Sequence, residues 1–241
     1  MSIWKLEMSL ENAFLSRRND EAYQAGPGAL GENDMTKESL ELIVQRKNEI
    51  IDACEILYRT KGFREVTIKD ISTETSFSRP SIYNYFETKE EIFLALLTRE
   101  YDRWTEKLKK VGFGGSWNRD EFAQVLAHTL EDQETMLKIQ TMNLYEIEEN
   151  SREERLMEYK RAFYRAMTAI DHCLEAYRPG MEETEKRDFR YVFFPFLYGI
   201  YAYAHPTGKQ LSVMEQVGIP SAQMTIYELA YHCIRQLLPE S

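Results

Sequence analysis

The chain has 241 residues, 43% of them hydrophobic and 29% charged, with a formal net charge of −10. That length allows one large domain or two small ones around a sizeable core, and the balance is that of a globular rather than a disordered protein. No apolar run approaches the roughly 20 residues that span a bilayer, and no export signal heads the chain. Cys54, Cys173 and Cys233 form an odd set without metal-type spacing, which suits a reducing cytoplasm.

Residues 1–38 read as an N-terminal arm with little regular structure, because Ala25-Gly26-Pro27-Gly28-Ala29-Leu30-Gly31 is rich in breakers. Leu6, Leu10 and Phe14 have helical spacing within it. Met35 is an alternative start, and an ordered arm would touch DNA or a partner subunit. From Ser39 the periodicity is helical. Ile43, Ile50, Ala53, Cys54, Leu57 and Tyr58 make one stripe, ending at Lys61-Gly62, where glycine suits a left-handed helix end. Thr67 with Asp70 forms a capping box for a second helix. Ser78 opens a third, with Pro80 in the first turn, where a missing N–H costs nothing. Thr88 with Glu91 opens a fourth that runs toward Lys110. Further helices are expected over 120–137 and 139–145, then an acidic turn at 146–150, and helices over 151–177, 182–204 (interrupted by Pro195), 209–217 and 221–238. No alternating strand pattern appears, so the chain is expected to be all-α.

Thr67 to Lys89 carries the functional signal. Ile68, Ile71, Phe77, Ile82 and Phe86 are spaced to pack two short helices together, which turns Arg79, Ser81, Asn84 and Tyr85 outward. Short polar and aromatic side chains on such a face can enter a major groove and reach base edges and phosphates. Acidity is the counter-argument, since phosphate binding calls for cations. Met35–Glu90 holds nine Lys/Arg against ten Asp/Glu, so most of the excess negative charge lies elsewhere.

Gly62-Phe63, Thr67-Ile68, Ile71, the run Ser78-Arg79-Pro80-Ser81-Ile82-Tyr83-Asn84-Tyr85-Phe86 and Lys89-Glu90-Glu91-Ile92-Phe93 resemble the N-terminal domain of the tetracycline-repressor (TetR) family of bacterial regulators. The match covers about Arg46 to Leu97, and the remainder resembles the family in helix count and length alone. One departure is Thr75-Ser76, where members more often carry Ala-Gly; a slight shift of the recognition helix is expected from the bulkier turn. The resemblance implies a three-helix helix-turn-helix domain over 39–90 and a larger helical effector and dimerisation domain over 91–241. It also implies roles. Ser78 begins the recognition helix; Arg79, Pro80, Ser81 and Asn84 face bases; Tyr83, Tyr85, Lys89 and Thr67 hold phosphates. Arg79 has the planar fork that matches guanine O6 and N7.

By the same resemblance, the partners are a palindromic double-stranded DNA operator, a second copy of the chain joined through 182–204 and 221–238, and a small apolar or aromatic effector. The candidate effector lining is His128, Met142, Tyr145, Tyr159, Phe163, Met167, Phe194 and Tyr198. Such aromatic stripes also serve as core or dimer packing. A buried tyrosine hydroxyl needs a partner, which an effector with a polar group can supply. The family mechanism then has the effector move the fourth helix and change the separation of the two reading heads. No cofactor, metal or catalytic residue is expected: His172-Cys173 and His232-Cys233 point about 100° apart on a helix, and no phosphate loop or nucleophile elbow is present. The alternatives are a helical scaffold with a vestigial DNA head and an all-helical enzyme.

Overall fold

A computed structural model describes residues 32–112, 117–220 and 223–239, so the N-terminal arm up to residue 31 lies outside the described residues. Those residues form ten helices and no strand. They are α1 (Glu32–Thr60), α2 (Ile68–Thr73), α3 (Arg79–Ile82), α4 (Lys89–Gly112), α5 (Arg119–His128), α6 (Glu134–Glu149), α7 (Glu153–Tyr177), α8 (Glu183–Ala204), α9 (Gly208–Gln216) and α10 (Ile226–Leu237). The all-α expectation holds.

Capping explains most of the starts. Thr67, Asn118, Thr207 and Thr225 each accept a hydrogen bond from the amide three residues on, and the residue there answers with its own side chain. Gly180 closes the end of α7 with φ at 79°, a left-handed position that favours glycine. Gly62 does not take that conformation. Its N–H instead donates to the Glu65 carboxylate at 2.7 Å, which turns the chain after α1 without a left-handed residue.

Residues from Arg46 onward pack as one unit, and the stretch of α1 before it is another, exposing Leu42, Ile43 and Val44. Ile43 is therefore not on the buried stripe, which begins at Ile50. α4 packs most extensively against α7 and also meets α6. Ile92, Phe93, Leu96, Tyr101, Trp104 and Leu108 give it a buried side along its whole length.

The expected helix over 120–137 is broken. α5 stops at His128, and α6 starts at Glu134 and runs through the supposed acidic turn to Glu149. The Thr129 Oγ donates to the Leu126 carbonyl at 2.7 Å and accepts the Trp104 indole N–H at 2.9 Å. Tightened bonds follow from Thr129 to Leu126 and from Leu130 to Ala127. A threonine bonded back onto its own helix, and fixed by a tryptophan from α4, ends α5 where periodicity alone would continue it. Trp104→Phe should lower stability by about 1–3 kcal/mol through loss of that buried hydrogen bond and some volume. Urea unfolding monitored by far-UV circular dichroism measures it, and an unchanged midpoint would contradict the role given to the indole N–H.

Candidate nucleic-acid interface

The two short helices α2 and α3 are positioned by α1. In α2 the Thr67 hydroxyl and Asp70 carboxylate lie 2.6 Å apart, and Ile71 is buried. Those hydrogen bonds from Thr67 hold the Asp70 carboxyl below its usual pKa, with Lys61 adding to the effect. The turn that follows contains Thr75-Ser76. There the Ser76 N–H donates to the Glu49 carboxylate of α1 at 2.6 Å, and the Phe77 N–H donates to the Thr75 hydroxyl at 3.3 Å. The bulkier turn is thus tied to α1 by a carboxylate whose pKa the Ser76 bonds lower.

Ser78 caps α3, accepting from the Ser81 N–H, with Pro80 in the first turn. The regular helix is only four residues, but the same winding continues, with the Phe86 N–H donating to the Ile82 carbonyl at 3.1 Å. Ile82 and Phe86 are buried. Ser78, Arg79, Pro80, Tyr83 and Asn84 are exposed, while Ser81 and Tyr85 are half-buried. The expected outward face therefore exists as one surface. The Arg79 guanidinium lies along Tyr83, donating to its hydroxyl at 3.3 Å and standing 5.9 Å from the ring centre.

The flanks differ from the sequence reading in two ways. Lys89 is half-buried; its ammonium sits 4.2 Å from the centre of the Phe63 ring and donates to the Phe63 carbonyl at 2.9 Å. It fastens the first residue of α4 to the loop preceding Thr67. Arg46, exposed on α1, donates to the Tyr85 hydroxyl at 3.2 Å and lies over the Phe77 ring at 5.9 Å. It adds a cation beside the recognition helix that the motif does not include. Its place one helical turn before Ile50 was the available signal.

Five of the eight candidate effector residues gather in one place. Tyr159 and Phe194 are buried, and Phe163, Met167 and Tyr198 pack partly buried on the same core. Ring centres are 5.7 Å apart for Tyr101–Tyr159, 5.5 Å for Tyr101–Phe163 and 5.1 Å for Phe163–Phe194. Polar groups sit among these rings. Gln140 donates to the Tyr101 hydroxyl at 2.5 Å, and the Tyr159 hydroxyl lies beside those of Tyr101 and Tyr198, whereas Gln140 Oε1 has no hydrogen-bond partner. Burial pushes the Tyr101 and Tyr159 hydroxyls well above their usual pKa. The other three candidates are elsewhere. Met142 and Tyr145 stand 60% and 84% exposed on α6, and the exposed His128 stacks on Tyr227 and faces Glu131 at 2.7 Å. The break at Thr129–Gln133 sets the phase of α6, which turns Met142 and Tyr145 outward, and His128 lies on the exposed side of α5 at its last residue. A separate groove of about 770 Å³ runs between α1, α4 and the start of α6, with Glu55, Glu100, Arg103, Lys107, Asp132 and Lys138 among its walls.

Comparison with known proteins bears on both halves of the chain. Residues 50–96 match the family model of bacterial regulatory proteins of the tetR family, and residues 98–238 match that of the tetracyclin repressor-like C-terminal domain. The HTH-type transcriptional regulator YfiR of Bacillus subtilis (strain 168) is 36% identical over 66 residues, 27% of this chain and 32% of its own. The HTH-type transcriptional regulator QacR of Staphylococcus aureus is 30% identical over 76 residues, 32% of this chain and 40% of its own. The matched stretch thus spans between about a third and two-fifths of the length of these curated relatives. Among solved structures, the fatty acid degradation regulator FadR of Bacillus halodurans superposes with a TM-score of 0.54 at 17% identity, covering 80% of this chain and 94% of the other. FadR of Bacillus subtilis in complex with stearoyl-CoA gives 0.51 at 14% identity, covering 78% and 96%. At these identities the structural likeness concerns the fold.

Proposed function

The chain belongs to the tetracycline-repressor family of DNA-binding transcriptional regulators, and from that premise we propose that it is a ligand-responsive repressor that binds a palindromic operator as a homodimer. The observation that carries the DNA half is the division of α3: Ile82 and Phe86 anchor it, and Arg79, Pro80, Tyr83 and Asn84 stand free to reach a groove. Residues 39–90 read DNA in this scheme, with Arg79, Pro80, Ser81 and Asn84 on bases. Thr67, Ser78, Tyr83, Tyr85 and Arg46 hold the backbone, and Lys89 braces the head through Phe63. Residues 91–241 hold the effector and join the subunits in the cytoplasm. Among the described residues no helix is long and apolar enough to cross a membrane.

The homodimer is supported by apolar side chains left exposed on α8, namely Tyr191, Val192 and Tyr203. A two-fold pairing through α8 and α10 would cover them and set two recognition helices about one DNA turn apart. The effector reading is supported by the unpartnered Gln140 Oε1 beside the Tyr101, Tyr159 and Tyr198 hydroxyls within the aromatic cluster. A buried polar group left unpaired costs about 1–3 kcal/mol, and a ligand that brings a hydrogen-bond donor among apolar atoms would remove that cost. Stearoyl-CoA, the ligand of the structurally similar FadR, is a first probe, alongside aromatic amides and phenols.

Sedimentation and thermal melting test both parts. The expected result is a dimer at micromolar concentration, and a probe that raises the melting temperature while weakening the DNA complex, both effects blunted by Tyr159→Phe. A monomeric species, or stabilising probes that leave DNA affinity untouched, would refute the reading.

A further inference from the structure

We infer that Arg152 and Arg155, at the start of α7, are positioning residues for DNA recognition that clamp the back of the recognition helix. The segment leaving that helix, Tyr85 to Glu91, is held from one side by residues 150–155. Arg155 Nη2 donates to the Tyr85 backbone carbonyl at 3.0 Å, and its guanidinium lies 5.5 Å from the centre of the Phe86 ring. The Thr88 hydroxyl donates to the Asn150 carbonyl at 3.1 Å. Arg152 grips Glu91 with two nitrogens, at 2.5 and 2.8 Å, and reaches Glu87 with a third at 2.9 Å. Glu91 in turn accepts the Glu87 N–H at 2.9 Å.

Two features set this apart from ordinary packing between helices. The Arg155 contact is made to main chain one residue beyond Asn84, so it constrains the backbone that aims the reading face, not a replaceable side chain. Arg155 is also committed: its side chain is only 15% exposed, and its other terminal nitrogen is held by Glu158 at 2.9 Å. A planar guanidinium fork gives each of the two acceptors its own nitrogen, whereas a lysine has a single nitrogen to share between them. α7 then carries Tyr159 one turn further on and Phe163 a turn beyond that. Any displacement of α7 at the aromatic cluster therefore displaces the clamp.

The inference rests on the reading of Arg79, Ser81 and Asn84 as base contacts, and the test separates the two. The full-length chain selects a preferred fragment from random duplex, and affinity is then measured for that fragment and for unselected duplex. Arg155→Ala is expected to lower the ratio of the two affinities at least tenfold, with binding to unselected duplex within twofold of the parent. Arg155→Lys, which keeps the charge and the stem over Phe86, should fold as the parent does and give an intermediate ratio. Arg165→Ala, which removes an α7–α4 ion pair to Asp102 away from the recognition helix, should leave the ratio unchanged. A ratio within twofold of the parent in both Arg155 variants overturns the clamp, as does an equal fall in Arg165→Ala. If Arg79→Ala also leaves the ratio unchanged, it is the base-reading assignment that has failed.

Discussion

Glu91→Ala is expected to destabilise the protein by about 3 kcal/mol, the low end of the cost of breaking a buried ion pair. The Glu91 side chain is fully buried, and Arg152 is 41% exposed, so the arginine left behind can still be hydrated. Besides Arg152, the carboxylate accepts the backbone N–H groups of Glu87 and Arg152, and both would lose their acceptor. Burial alone would push the Glu91 carboxyl up. The hydrogen bonds from Arg152 and Glu87 outweigh it and hold the group below its ordinary pKa of 4.5. A depressed folded-state value stabilises the protein above the unfolded-state pKa, and that contribution fades as the pH falls through the lowered folded value. The gap between parent and variant in urea unfolding should therefore be full at pH 7 and shrink in acid. A gap below 1 kcal/mol at pH 7, or one unchanged down to pH 3, would remove Glu91 from this role.

Arg79→Ala is the second large effect, about 1–3 kcal/mol on the preferred DNA site, or roughly five- to 150-fold in affinity. In the free protein the guanidinium rests on Tyr83, an exposed contact whose loss on binding costs little. Against guanine the same fork makes two parallel hydrogen bonds, and leaving a base edge unpaired is where the discrimination arises. The loss should be confined to the preferred site. An equal fall on random duplex would mean that Arg79 contributes charge alone.

Much of the reading head was legible because its determinants are local. Thr67 and Ser78 cap helices through atoms three residues away, and Ile82 and Phe86 reveal their burial by spacing. What was not legible depends on residues far apart in sequence. Nothing near Thr129 marks the end of α5, because the cause is Trp104 on another helix. The motif gives no notice of Glu49, Arg152 or Arg155, whose roles exist only once α1 and α7 lie beside the recognition helix and its turn. Lys89 has the spacing of a phosphate contact but a nearer partner in Phe63. The aromatic cluster was half visible: Tyr159 and Phe163 follow the periodicity of α7, whereas Gln140 and Tyr101 become important only through the hydrogen bond between them.

The net charge of −10 sharpens what must hold for such a protein to bind DNA. With a nearly neutral head, affinity has to come from a few well-placed contacts, which the proposed dimer would make twice, not from bulk attraction. The most direct test is a titration of the full-length chain against its selected fragment and a random duplex at several salt concentrations. The account predicts a complex with the selected fragment that weakens with salt, is at least a thousandfold tighter than with random duplex, and loses most of that preference in Arg79→Ala. Equal affinity for the two duplexes at every salt concentration, unaltered by Arg79→Ala, would contradict it.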